Sequence, residues 1–167
     1  MHTTAKVIKI VVAVAAAVVL VMLLLWKTTE SKALLPDRAP QTVDENAIVS
    51  DDEADKLDAP PGGGASSFNY SKRITIDLSS GTASLHFENS SKSLYDAAIF
   101  LVIQDTIVLQ SGLLPPGSLI KTLPLPDNGV PLQAGGYDGE LWIQFYDENG
   151  DAISVNSKLQ GISIEVK

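Results

Sequence analysis

The chain has 167 residues, a net charge of −8, an apolar fraction of 45% and no cysteine. That length holds one ordinary domain with appendages. The lack of cysteine excludes a disulfide framework, a zinc–thiolate site and a cysteine nucleophile together. Charge divides as +3 over residues 1–29, −6 over 30–66 and −5 over 67–167. No basic patch lies beyond the N-terminal segment, so nucleic acid is a poor partner.

Residues 1–6 read as a short tail and 7–26 as a transmembrane helix. Ile10 to Trp26 is a run of seventeen residues without a polar side chain. Val7 and Ile8 extend it if Lys9 snorkels to the headgroups, which approaches the ~20 residues needed to cross the hydrocarbon core. Trp26 beside Lys27 has the character of an interfacial anchor. A cleaved signal peptide, with Ser31-Lys32-Ala33 as the small-x-small site, is the alternative. Either reading exports the rest of the chain. For a retained span, the six-residue tail favours an N-in, C-out orientation at the cell membrane, although Lys6 and Lys9 nearly balance Lys27, Lys32 and Arg38.

Residues 27–66 read as a flexible acidic linker. They contain Pro36, Pro40, Pro60, Pro61 and Gly62-Gly63-Gly64, with Asp51-Asp52-Glu53, Asp55 and Asp58 repelling one another. Such a composition buries too little apolar surface to offset the entropy of ordering. A sharper alternative is an acidic recognition segment, Val43 to Leu57, that forms a short helix on a partner.

Residues 67–167 change period to two. Phe68, Tyr70, Ile74, Ile76 and Leu78 share a parity, and Ala83, Leu85 and Phe87 alternate with Thr82, Ser84, His86 and Glu88. Ala97 to Ile103 is continuously apolar, as in a central strand covered on both faces. Pro115-Pro116-Gly117 is a turn, Leu119 to Leu125 an edge strand, and Gly135 to Gly139 a loop. Gly139 to Tyr146 is a strand, Asn149-Gly150 its hairpin turn, Ala152 to Val155 the return, and Gly161 to Val166 the closing strand. Seven or eight short strands at this spacing predict a mainly β fold, an antiparallel immunoglobulin-like β-sandwich.

The segment Ser111-Gly-Leu-Leu-Pro-Pro-Gly-Ser-Leu-Ile-Lys-Thr-Leu-Pro-Leu125 resembles a motif of small exported proteins of clostridial Gram-positive bacteria. In them SGL-x-x-PG follows a strand reading hydrophobic-x-hydrophobic, Asp. The closing Gly161-Ile-Ser-Ile-Glu-Val-Lys167 and the N-terminal apolar segment are similar as well. The resemblance implies a single-pass protein with an extracytoplasmic domain of unassigned function and no catalytic residues to carry over.

Chemistry is sparse. His2 falls in the tail and His86 at an outward strand position, and neither has a nucleophile or second ligand beside it. No cofactor motif is present, and the chain does not read as an enzyme. Asp147, Asn149 and Asp151 place oxygens at relative positions 1, 3 and 5 of a calcium loop, but Ala152 and Lys158 break the pattern. The ligand-binding candidates are Trp142, Gln144 and Tyr146. Leu141, Ile143 and Phe145 take the opposite face, so an aromatic pair with an amide between could stack on a sugar or anchor a protein. If that strand is central, the same three residues are covered. The function expected is a membrane-tethered extracytoplasmic binding or assembly module whose partner is another protein at the cell surface. A cell-envelope carbohydrate-binding module is the alternative. The sequence leaves the oligomeric state open.

Overall fold

The computed structural model describes residues 35–50, 55–58 and 65–167. The expected tail and transmembrane helix, and Gly62-Gly63-Gly64 of the expected linker, lie outside them. The described residues are mainly β and contain no helix, hence none long and apolar enough to cross a membrane. The strands are β1 (Ile48–Val49), β2 (Phe68–Tyr70), β3 (Arg73–Asp77), β4 (Thr82–Asn89), β5 (Asp96–Ile103), β6 (Thr106–Gln110), β7 (Ser118–Pro124), β8 (Gly135–Tyr146) and β9 (Ala152–Val166).

They form one curled sheet in the order β1-β7-β4-β3-β9-β8-β5-β6, with β2 also on β4. All pairings are antiparallel except β3 with β9, where Ile74 lies beside Ile164 and Ile76 beside Val166. The expectation of a purely antiparallel arrangement therefore fails at one ladder.

Alternation explains the main core. Ile74 and Ile76, Ala83 and Phe87, Ile120 and Leu123 come from one end of the strand order. Ile99, Leu101, Leu141, Ile143, Phe145 and Ile162 come from the other, and all are buried together. The curl brings the two ends face to face. Leu123 of β7 and Leu109 of β6 line the same small interior space, and the Phe68 and Phe145 rings lie 6.2 Å apart.

β5 is buried from Ala97 to Ile103 without a break, as its unbroken apolar sequence requires. It is covered on both faces because a second, smaller cluster (Ala98, Phe100, Val102, Trp142, Tyr146) sits on the side away from the main core. A two-residue turn with Gln104 and Asp105 at φ 50° and 60° joins β5 to β6. That is the twist a tight hairpin needs.

Several boundaries differ from expectation. Gly135 to Gly139 is not a loop but the start of β8, paired with the end of β9. The expected return strand and closing strand are one long β9, bent at Gly161, whose φ of 71° suits glycine. β7 is next to the end of the sheet and not at it, because β1 pairs outside it.

β1 belongs to the larger correction. Residues 35–50, expected in the flexible linker, lie against the sheet as a strap. Ala39 N–H donates to Gly150 O at 2.9 Å, Ala152 N–H to Asp37 O at 2.9 Å, and Leu113 N–H to Thr42 O at 2.9 Å. Asp44 N–H returns a bond to Leu113 O at 2.9 Å, and Ser50 N–H donates to Gly117 O at 2.7 Å. In the described part of Val43 to Leu57 the chain turns after Asp44 and becomes β1. Composition suggested a tether because the few apolar residues here, Leu35 and Ala39 among them, are enough once a preformed sheet face receives them.

Candidate functional site

The proline–glycine motif is where the strap docks. Ser111 Oγ accepts Ile99 N–H at 3.0 Å and donates to Gly112 O at 2.8 Å, so this side chain fixes the chain to β5. Gly112 N–H donates to Asp44 Oδ2 at 2.7 Å. Gly117, at φ 85°, donates its N–H to Asn89 O at 2.7 Å while its carbonyl takes Ser50. Asn89 is fully buried. Its Nδ2 donates to Tyr95 O at 3.0 Å and Leu114 O at 2.8 Å, closing the β4–β5 connection onto the motif. Glu88 is nearly buried beside it and accepts from Ser50 Oγ and from Asn69 Nδ2.

Trp142, Gln144 and Tyr146 do share a face of β8, but that face is interior. Their exposures are 6%, 4% and 0%. Leu35 and Ala39 of the strap, with Ile107, Leu113 and Ala152, pack against the cluster containing both rings. Trp142 Nε1 donates to Glu140 Oε2 at 2.6 Å, and Lys158 Nζ caps its ring 3.5 Å from the centroid. Gln144 Nε2 donates to Phe145 O and Ile153 O, each at 3.0 Å. Tyr146 Oη reaches Pro36 O at 3.4 Å. Burial, with a smaller contribution from the Asp37 carboxylate, pushes its phenol up to about 12. The rings do not form an exposed platform, because the strap and Lys158 cover most of them, although a cleft of about 450 Å³ lined by Leu35, Asp37, Trp142, Gln144 and Lys158 remains at this face.

Of the calcium-loop candidates, Asp147 holds the hairpin and Asp151 holds the strap. Asp147 Oδ1 accepts the N–H groups of Asn149 and Asp151, both at 2.9 Å. These bonds, that from Asp151 first, hold its carboxyl below the usual range. Asp151 Oδ1 pairs with Arg38 at 2.7 Å. Among the described residues no three or more His, Cys, Asp or Glu side chains are grouped to hold a metal ion. His86 is half-buried on β4, its carbonyl accepting Ser71 N–H at 2.9 Å, and His2 lies outside the described residues.

Exposed apolar surface gathers on the strap. Val43, Ile48 and Val49 are 52%, 50% and 88% exposed, three of the five large hydrophobics exposed among the described residues. A cleft of about 1110 Å³ lies between the end of the strap, Lys56 and Pro115–Ser118, and another open feature is β6, at the far end of the sheet. A groove of about 770 Å³ runs beside it, with residues 124–129 and Pro131 as its other wall. Sequence reading passed over this groove because the uncharged Thr106 to Gln110 has the same pattern in a paired strand as in an edge. Compared with known proteins, the chain matches no family model, no curated protein and no solved structure.

Proposed function

We propose that the chain is a single-pass membrane protein that presents an immunoglobulin-like β domain outside the cytoplasm as a binding or assembly module without catalytic chemistry. The observation that carries this reading is the seventeen-residue run Ile10–Trp26, which has no polar side chain and precedes a β domain with a core of its own. Crossing hydrocarbon requires such a run, and a strand of the sheet does not. The immunoglobulin-like description is supported by strand order. β3, β4 and β7 match the layer that carries the first hairpin, while β6, β5, β8 and β9 match the opposite layer. The described carboxylates and aromatics with specific partners are engaged in holding the fold, which favours recognition by surface over chemistry at a centre. The carbohydrate-binding alternative lacks the exposed Trp142–Tyr146 platform it requires.

The strap changes the reach of such a module. Trp26 and Leu35 are nine residue steps apart, which whatever the conformation of residues 27–34 span at most about 32 Å. A forty-residue tether would have allowed on the order of 130 Å. The test is protease added to intact cells expressing the chain, read with an antibody to the domain. Loss of the membrane-bound form, with release of a domain-sized fragment, is the expected result. Protection in intact cells with cleavage after permeabilisation places the domain inside and removes the proposal.

A further inference from the structure

Both ends of the sheet are strands paired on one side only. β1 is two residues long, and an edge that short is one way in which proteins discourage further pairing. β6 is longer, and a bulge at Val108, opposite Leu101 and Val102, is the one irregularity in its pairing. Its residues, Thr106–Gln110, carry no charge and no proline and pair with β5 alone.

The bond from Ser111 N–H to Ile99 O, at 3.0 Å, extends the β5 ladder one residue past β6. Successive residues of a strand point their N–H and C=O groups to alternate sides. Gln110 therefore turns its pair outward, where no described backbone group meets it. The groove lies on that side. Pro124, Pro126 and Pro131 in its far wall have no N–H to offer β6, and the backbone bonds of that wall run elsewhere, Leu125 N–H to Gly81 O at 2.8 Å and Gly129 N–H to Pro126 O at 2.7 Å. Leu125 makes the wall apolar, and Asp127 is the single charged residue in the lining.

We propose that this groove receives an extended segment of another protein, which adds to β6 as one further strand and sets a lysine or arginine against Asp127. Backbone hydrogen bonds to the edge supply the attachment, and side chains against Leu125 and the prolines supply selectivity. A second copy of the chain is a poorer occupant. It carries the same charge of −8, and its own β6 offers no cation to Asp127. The inference rests on reading the domain as a binding module. It does not depend on the membrane anchor, which the protease experiment decides separately.

The experiment uses the full chain in detergent micelles and a fluorescein-labelled peptide, Lys-Thr-Val-Thr-Val-Thr, followed by anisotropy. Saturable binding is expected. N-methylation of alternate peptide amides, which keeps charge and side chains but blocks pairing, weakens binding roughly tenfold or more. Gln110→Pro does the same by removing the outward N–H. Asp127→Lys, in an exposed loop, weakens the lysine peptide and favours its glutamate counterpart. If Gln110→Pro melts below the wild type, Asp127→Lys and the methylated peptide carry the test. Absence of saturable binding, equal binding of the methylated peptide, or indifference to Asp127→Lys overturns the proposal. So does a concentration-dependent dimer lost in Gln110→Pro, which assigns the edge to a second copy.

Discussion

Gly112 donates its amide hydrogen to the Asp44 carboxylate at 2.7 Å, and the absence of a side chain at 112 is what lets the two backbones approach. A Cβ at 112 would stand 2.8 Å from Asp44 Cα, 2.9 Å from Asp44 N and 3.1 Å from Thr42 O. These are backbone atoms and cannot rotate away. Gly112→Ala should therefore lift the strap and cost about 1–3 kcal/mol, read by chemical denaturation. Faster proteolysis within residues 35–50 should accompany the loss, and unchanged proteolysis would contradict the docking described.

The strap also moves the working boundary of the domain. A fragment covering 67–167 leaves Ala98, Phe100 and Tyr146 without Leu35 and Ala39 over them. It should melt lower than a fragment covering 35–167 by roughly 5 °C or more. Equal melting temperatures would return residues 35–50 to the status of a passive tether.

Trp142 is expected to act through stability. Trp142→Ala removes a nearly buried ring, and large-to-small changes at such sites cost about 3–5 kcal/mol. In a Trp26→Phe background Trp142 is the sole tryptophan, and its fluorescence should resist quenching by iodide. Ready quenching with little loss of stability would restore the open platform.

The Tyr146 phenol supplies a pH signature. Its folded-state value of about 12 lies above the ordinary 10, chiefly because burial disfavours the charged form. As pH climbs from 10 toward 12 the unfolded chain gives up this proton and the folded one keeps it, so stability is full below 10 and falls through that window. Tyr146→Phe should flatten this part of the fall while changing stability near neutrality little, since the bond to Pro36 is long. A melting curve against pH in both proteins checks the sign.

Period-two alternation made most of the strands legible, and the unbroken apolar run of Ala97 to Ile103 correctly announced a strand covered on both faces. What covers the second face was not legible. The answer lies in Leu35 and Ala39, isolated among prolines and acids, whose burial depends on a surface that only tertiary structure creates. The same missing cover misplaced Trp142, Gln144 and Tyr146, since alternation assigns a face but not whether that face is wet. The motif from Ser111 to Gly117 stood out as a turn, and its second duty, accepting the strap, became readable only with Asp44 and Ser50 beside it. The parallel ladder between β3 and β9 was hidden because local pattern carries no information on pairing direction.

That ladder bears on how the protein is made. β3 is among the first strands synthesised and β9 is the last of the nine, yet Ile74 and Ile76 reach their final neighbours only when Ile164 and Val166 arrive. Contacts so distant along the chain are slow to form, because loop closure precedes any gain from them. The sheet therefore cannot close around its centre until β9 has been made, and before that Ile74 and Ile76 lack the neighbours that flank them in the finished sheet.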